Sequence, residues 1–153
     1  MLLASTGAAL AGAWFEQQKH FPRAALQWLD ASAPPVLHAA RRWLDDYFAG
    51  LRPDISKIPL ASFGTPFQQR VWNMLRAIPY GSTTTYGTLA QCLAPPRMAA
   101  QAVGGAVGRN PIAIIIPCHR VLGSGGALTG YAAGLDIKRR LLKHEGIYSL
   151  PAT

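Results

Sequence analysis

The segment Ile112-Ala113-Ile114-Ile115-Ile116-Pro117-Cys118-His119-Arg120-Val121 joins an apolar run to an adjacent cysteine and histidine. Four of its first five residues are β-branched, which predicts a buried β-strand over 112–116. Pro117 would end this strand and fix the direction in which the chain leaves it. A thiol held there beside an imidazole suits a nucleophile. The alternative is that Cys118 packs as a small hydrophobic side chain, the usual role of a free cysteine.

Charge is distributed unevenly along the 153-residue chain, whose formal net charge is +8 at pH 7. Residues 1–63 carry six basic and five acidic side chains, whereas residues 64–153 carry nine basic and two acidic ones. A basic C-terminal part beside a nearly neutral N-terminal part favours a nucleic-acid partner over plain solubility. The length fits one or two small domains with a proper core.

The sequence gives no indication of export, membrane insertion or metal binding. No stretch approaches the roughly 18 apolar residues of a membrane span. The apolar segment 1–14 has no basic residue before Lys19, so we expect no export signal, a cytoplasmic protein, and reduced Cys92 and Cys118. Neither cysteine has metal-ligand spacing, and we expect no metal and no cofactor.

Residues 1–62 are predicted to form a small N-terminal mixed α/β domain with a short sheet. Ser5-Thr6-Gly7 is a turn signal between two apolar segments, which predicts a hairpin. After Pro34-Pro35, apolar residues recur at helical spacing over 36–48, and Gly50 is the expected C-terminal cap. We expect the tryptophan and tyrosine of this helix to be core residues.

Residues 63–153 are predicted to form a mainly helical domain with a helix-turn-helix and the buried active-site strand, so the fold class is α/β (α+β). Thr65-Pro66-Phe67-Gln68 has the residues of a capped helix start with a capping box. Two shorter helices follow, over 86–93 behind a threonine cap and over 97–107, with a turn at 94–96 between them. This order is the outline of a helix-turn-helix.

The second helix of that pair consists largely of alanine and glycine, including Ala100 and Gly104. An interior glycine costs roughly 1 kcal/mol relative to alanine, so the composition indicates that another surface approaches this helix closely. That surface is either a neighbouring core element or the wall of a narrow DNA groove. Minor-groove docking is consistent with the small side chains.

The last helix is predicted to start at Asp136, with apolar residues inside and the basic residues, Lys138 among them, mostly outside. Glu145 falls in its last turn, where the helix macrodipole disfavours a carboxylate by roughly 0.3–1 kcal/mol. This position suggests that Glu145 pairs with His119. The alternative is a solvated carboxylate near basic neighbours.

Distinctive motifs cover essentially all of residues 64–148. They are Gly64-Thr65-Pro66-Phe67-Gln68-Gln69, Ile78-Pro79-Tyr80-Gly81, Tyr86-Gly87-Thr88-Leu89-Ala90, Ala102-Val103-Gly104-Gly105-Ala106, Asn110-Pro111, Pro117-Cys118-His119-Arg120-Val121, Gly130-Tyr131 and His144-Glu145-Gly146. In order and spacing they resemble the motifs of the O6-alkylguanine-DNA alkyltransferases, also called methylated-DNA–protein-cysteine methyltransferases.

This resemblance implies direct DNA repair by a protein that uses no cofactor. The helix-turn-helix would bind double-stranded DNA containing O6-alkylguanine in the minor groove, and the damaged base would flip into a pocket. The alkyl group would move irreversibly to Cys118, so each molecule acts once. His119 would take the thiol proton through a water, and Glu145 would orient the imidazole and stabilise its charged form. We expect a monomer, with cooperative binding along DNA left open.

The resemblance also implies roles around the flipped base. Tyr86 matches the tyrosine that hydrogen-bonds the base and supports its departure, and Tyr131 matches a tyrosine of the pocket wall. Asn110 matches the hinge between the recognition helix and the active-site strand. Ala132, with its neighbour Ala133, suggests a roomy pocket, but the range of alkyl groups is left open.

Three features depart from the family pattern. Gln101 stands where the family usually has an arginine that fills the gap left by the flipped guanine, and Arg97 is a possible substitute. We therefore expect weaker DNA binding or slower flipping. The first strand of the N-terminal domain is expected to be shortened or absent, and the zinc ligands of some members are not recognisable.

Two other classes of protein remain in view. A cysteine hydrolase would also use Cys118 and His119, although adjacent residues pair awkwardly and the basic helices would be unexplained. A non-catalytic DNA-binding module for alkyl lesions would explain the charge and the helices. Gln101, in place of the usual arginine, is consistent with such a module. That module would leave the cysteine and histidine without a role.

Overall fold

The computed structural model describes residues 1–24, 33–93 and 100–149. Its strands and helices are β1 (Leu2–Ser5), β2 (Leu10–Trp14), α1 (Pro35–Phe48), α2 (Pro66–Arg76), β3 (Thr84–Thr85), α3 (Tyr86–Gln91), α4 (Ala100–Gly108), β4 (Val121–Leu122) and α5 (Leu135–His144), with short 3-10 turns at Ile55–Lys57, Cys118–Arg120 and Ser124–Gly126. The mixed α/β class is as predicted. None of the helices in the described parts is long and apolar enough to cross a membrane.

The predicted N-terminal hairpin is present. Strands β1 and β2 pair antiparallel, with Leu2 opposite Trp14. Strand β2 also makes single bridges to two distant segments, through Leu10 to Leu60 and through Ala13 to Ile112. The hairpin is thereby tied to the segment that leads to Cys118.

The helix starts follow the local sequence signals. Pro35 occupies the first turn of α1. At α2, the Thr65 side chain accepts from the backbone N–H of Gln68 at 3.2 Å, and the Gln68 side chain accepts from the backbone N–H of Thr65 at 2.9 Å. This is the predicted capping box, which satisfies two donors that a helix start leaves free. At α3 the cap is one-sided: the Thr85 side chain accepts from the backbone N–H of Thr88 at 3.0 Å.

Helices α3 and α4 are the two helices predicted for the helix-turn-helix, and they pack against each other. Helix α4 also packs on α2, where the indole Nε1–H of Trp72 donates to the carbonyl of Ala106 at 2.9 Å. The predicted turn at 94–96 and Arg97 lie outside the described residues.

The prediction of a β-strand over 112–116 is wrong, although all five residues are buried as expected. A single bridge joins Ile112 to Ala13 of β2, and the chain then folds back, with the N–H of Ile116 donating to the carbonyl of Ile112 at 3.0 Å. Ile114 at the bend has φ +70°. β-Branched side chains favour extended backbone. Here the burial of Ile114 and the hydrogen bonds that the Asn110 side chain makes to Ile112 and Ile116 outweigh that preference.

One hydrophobic core contains buried residues from both halves of the chain, among them Leu10, Tyr47, Val103, Ile115 and Cys118. The proposed division into domains 1–62 and 63–153 stays a prediction. Because the core is shared, a side chain of the first helix, Tyr47, reaches Glu145 near the C-terminal end of the chain.

Candidate active site

Cys118 lies on the wall of a cavity of about 500 Å³. The predicted site residues that share this wall are Tyr86, Gly104, Asn110, Tyr131 and Ala132. Ala113 and Ala133 line it as well, and Lys19 and Arg109 add positive charge. Side chains from widely separated positions thus surround one thiol.

His119 and Glu145, which the sequence suggested as a pair, are in direct contact. His119 Nε2 lies 2.7 Å from Glu145 Oε1, and neither side chain is exposed to solvent. An ionised carboxylate only accepts hydrogen bonds, so the proton of the neutral imidazole resides on Nε2. His119 Nδ1 then carries the free lone pair, and it has no hydrogen-bond partner among the described residues.

Glu145 is held by more donors than the sequence indicated. Arg120 donates to both carboxylate oxygens, from Nε to Oε2 at 2.8 Å and from NH2 to Oε1 at 2.9 Å. The phenol of Tyr47 donates to Oε1 at 2.8 Å, and the backbone N–H of Gly81 donates to Oε2 at 3.1 Å. The hydrogen bonds and charges of His119 and Arg120 outweigh burial and lower the pKa of Glu145 to about 2.

Arg120 and Tyr47 are functional candidates that the sequence reasoning missed. Arg120 was visible only as a member of the Cys-His-Arg motif, and Tyr47 fits the apolar stripe of α1 like any core aromatic residue. Nothing in local sequence shows that a tyrosine 98 positions away reaches Glu145.

The pKa shifts of Cys118 and His119 define their resting protonation states. Burial raises the pKa of the Cys118 thiol, against the opposing effects of Asn110, Lys138 and nearby backbone N–H groups. Burial also lowers the pKa of His119, against the opposing effect of Glu145. The resting pair is therefore a neutral thiol beside a neutral imidazole.

Two tyrosines flank the thiol. Tyr86 donates its phenol to the carbonyl of Gly130 at 3.2 Å, and burial together with Cys118 raises its pKa to about 12. The phenol oxygen of Tyr131 is buried without a hydrogen-bond partner in the described parts of the chain. The pKa values of both phenols are raised, chiefly by burial, so both remain protonated near neutral pH and can donate hydrogen bonds.

Asn110 shapes the bend that carries the cysteine. Its Nδ2 donates to the carbonyl of Ile116 at 2.8 Å and to that of Ile112 at 3.4 Å, and its Oδ1 accepts from the N–H of Ile112 at 3.0 Å. Since one buried amide binds both ends of the bend, Asn110 fixes where the chain turns toward Cys118. The predicted hinge position is thus a clamp on a turn rather than the start of a strand.

The prediction that Lys138 is among the outward-facing basic residues is wrong, because Lys138 is completely buried. Its Nζ donates to the carbonyls of Val121 at 2.6 Å, Thr129 at 2.6 Å and Gly130 at 3.1 Å. Helical periodicity alone does not reveal carbonyls supplied by other segments. Lys138 joins the strand after the cysteine to the loop that lines the cavity.

The remaining predicted residues lie on or near α4. Ala100 and Gln101 are exposed and do not line the cavity, and Arg97 lies outside the described residues. A Cβ added at Gly104 would meet the Tyr86 ring at 3.8 Å, an ordinary contact, and one added at Gly105 would meet no atom of the described residues within 4 Å. Packing among the described residues therefore does not require either glycine.

Comparisons with known proteins place the chain in one family. The family model for the 6-O-methylguanine DNA methyltransferase DNA binding domain matches residues 66–147. A Mycobacterium leprae protein named methylated-DNA–protein-cysteine methyltransferase is 44% identical over 153 residues, covering 98% of this chain and 90% of its own. A Haemophilus influenzae protein of the same name is 44% identical over 147 residues, covering 96% of this chain and 80% of its own.

The fold is shared as well. The crystal structure of Mycobacterium tuberculosis OGT in complex with DNA has a TM-score of 0.79 and 41% identity, covering 98% of this chain and 88% of that one. The fold, the site and these matches define a DNA-binding protein of mixed α/β fold with a cysteine beside a histidine–carboxylate pair. The chain belongs to the methylated-DNA–protein-cysteine methyltransferase family.

Proposed function

We propose that this protein repairs double-stranded DNA by moving the alkyl group of O6-alkylguanine to its own Cys118, once per molecule. The observation that carries the proposal is the position of Cys118, on a cavity of about 500 Å³ and next to the buried His119–Glu145 pair. A cavity of this size is in the range of small-molecule sites and suits a flipped base. The names of the relatives support the same activity.

The transfer is a displacement at the alkyl carbon. The Cys118 sulfur forms a bond to that carbon while the bond between carbon and O6 breaks, and the electron pair of that bond leaves with the guanine. The thiol proton goes to His119 Nδ1, through a water as the family resemblance implies. Glu145 stabilises the resulting imidazolium. Because the product is a stable thioether, the protein does not turn over.

The leaving guanine is an anion unless it receives a proton or a hydrogen bond. The phenol of Tyr86 is the donor proposed for this role, and it would exchange its 3.2 Å bond to Gly130 for one to the base. Tyr131 and Ala132 would form the pocket wall beside the ring and the alkyl group. Asn110 would keep the bend that presents the sulfur.

DNA would bind along α4, the second helix of the pair. Its exposed alanine and glycine residues, Ala100 among them, permit close approach to a narrow groove. Gln101 is exposed on this helix at the position assigned to filling the base stack. Lys19 and Arg109 at the cavity would attract the phosphates of the flipped nucleotide. We expect the protein to act in the cytoplasm, as a monomer.

The test is the intact mass of the protein after incubation with duplex DNA containing one O6-methylguanine. The wild type is expected to gain one methylene per molecule, and Cys118→Ser to gain none. Cys92→Ser is the matched control, because Cys92 is the exposed cysteine and should leave the gain unchanged.

Other outcomes would assign the protein to another class. DNA binding without a mass gain would indicate a non-catalytic lesion-binding module, with Gln101 the first residue to examine. Hydrolysis of a generic ester with repeated turnover, dependent on Cys118, would indicate a hydrolase.

A further inference from the structure

Tyr47 connects the N-terminal helix α1 to the carboxylate behind the cysteine. Its phenol donates to Glu145 Oε1 at 2.8 Å, and the same oxygen lies 2.7 Å from His119 Nε2. Arg120 NH2 reaches this oxygen too, at 2.9 Å. A carboxylate oxygen has two lone pairs, so three donors on one oxygen share its negative charge. Each donor therefore weakens the bonds made by the other two.

The Tyr47 phenol has little freedom to leave this position. Its ring is only 1% exposed and stacks on Trp43 at 5.7 Å between ring centroids. Tyr80 and His144 contact its other sides, and His144 Nε2 donates to the backbone carbonyl of Tyr47 at 2.7 Å. Burial and Glu145 raise the pKa of Tyr47 far above its ordinary value, so the phenol stays a donor.

We propose that Tyr47 is a positioning residue of alkyl transfer, which limits the strength of the His119–Glu145 hydrogen bond and thereby sets the proton affinity of His119. The inference rests on the proposed function for its kinetic consequence, but the hydrogen bond itself exists in the unreacted protein. If Tyr47 donates less strongly, Oε1 carries more charge, the imidazolium is stabilised, and His119 holds its proton more tightly.

Other charged and titratable groups lie around His119 and Tyr47, and they stay unchanged when only Tyr47 is altered. His119 is surrounded by Glu145, Arg120 and Lys138 and follows Cys118 in the chain. Tyr80 and His144 pack against Tyr47. Lys138 and Arg120 lower the pKa of His119, whereas Glu145 raises it. Tyr47 acts through Glu145 and so modulates the one carboxylate in this group.

The direct test measures the proton resonance of the His119 Nε2–H in unreacted, ¹⁵N-labelled protein. Tyr47→Phe is expected to move this resonance downfield, because the His119–Glu145 bond shortens and strengthens. Site-specific 3-fluorotyrosine at position 47, a stronger donor of nearly the same shape, is expected to move it upfield. The matched control is Tyr80→Phe, which removes a neighbouring phenol that donates to the carbonyl of His144 at 3.0 Å rather than to Glu145.

The kinetic test measures the single-turnover rate of methyl transfer against pH. The acidic limb, where His119 becomes protonated, should move up by about half to one pH unit in Tyr47→Phe. The acidic limb should move to lower pH in the fluorotyrosine protein and stay in place in Tyr80→Phe. A purely structural role would lower the rate at every pH without moving the limb.

The proposal is overturned if neither the resonance nor the limb follows donor strength at position 47, or if Tyr80→Phe shifts them equally. Should Tyr47→Phe fail to fold, the fluorotyrosine protein still gives both readouts. A wild type that transfers no methyl group would refute the proposed function, whereas the resonance would still decide the role of Tyr47.

Discussion

His119 Nε2 and Glu145 Oε1 lie 2.7 Å apart with both side chains completely buried, although the two residues are 26 positions apart in the chain. A buried carboxylate is tolerated only when donors compensate for its lost hydration, and here His119, Arg120, Tyr47 and a backbone N–H do so. The contact fixes the imidazole tautomer and leaves the lone pair of Nδ1 free to accept a proton.

Glu145→Gln should impair both stability and transfer. The change removes the negative charge that compensates the buried guanidinium of Arg120, so the free energy of unfolding should fall by about 3–5 kcal/mol. The imidazolium loses its partner, and the transfer rate should fall on the order of 10²–10⁴-fold. Urea unfolding and single-turnover kinetics measure the two effects. Asp136→Asn on α5 is the control, since its side chain is 95% exposed and both quantities should barely change.

Stability should decline as the pH is lowered. The folded pKa of Glu145, about 2, is depressed from 4.5, so its contribution is fully present above pH 4.5 and is lost as pH falls toward 2. His119 is also depressed, from 6.5, and because the unfolded chain binds its proton first, stability starts to fall below pH 6.5. Urea unfolding from pH 7.5 to 3 should show a smaller decline below pH 4.5 in Glu145→Gln. Parallel curves for the two proteins would contradict this assignment.

Lys138→Met should loosen the cavity wall. The substitution keeps the length of the side chain but leaves three carbonyls without their buried donor, and an unsatisfied buried group costs about 1–3 kcal/mol. Hydrogen exchange at 128–134 should increase, and transfer should slow because this loop carries Tyr131. Lys143→Met serves as the control on the exposed face of α5. Unchanged exchange in Lys138→Met would show that the loop is held by other contacts.

Gln101→Arg should raise the transfer rate on duplex DNA. The guanidinium would add charge and stacking area at the position left by the flipped guanine, where glutamine offers hydrogen bonds only. The rate on a single-stranded substrate should stay the same, because no base stack needs filling there. Gln91→Arg adds the same charge to an exposed position of α3. If it accelerates repair equally, the gain is general electrostatic attraction, and an unchanged duplex rate in Gln101→Arg would refute the expectation.

The local sequence was sufficient where short-range physics decides the outcome. Thr65 and Gln68 form the predicted capping box, and the turn at Ser5-Thr6-Gly7 forms the predicted hairpin, because both depend on residues within a few positions. The reaction was inferred from the motif around Cys118 and from the family resemblance. Several residues identified in this way line the cavity, and the role of each residue remains a prediction.

The tertiary structure alone decided what lies around those motifs. Residues 112–116 are as buried as predicted, but they bend instead of forming a strand, since Asn110 binds both ends of the turn. Lys138 is buried because carbonyls from two other segments meet its ammonium group, and Tyr47 meets Glu145 because α1 packs against the end of α5. Local sequence patterns reflect the conformational preferences of residues a few positions apart. These contacts instead join groups that are distant in sequence and meet only in the folded chain.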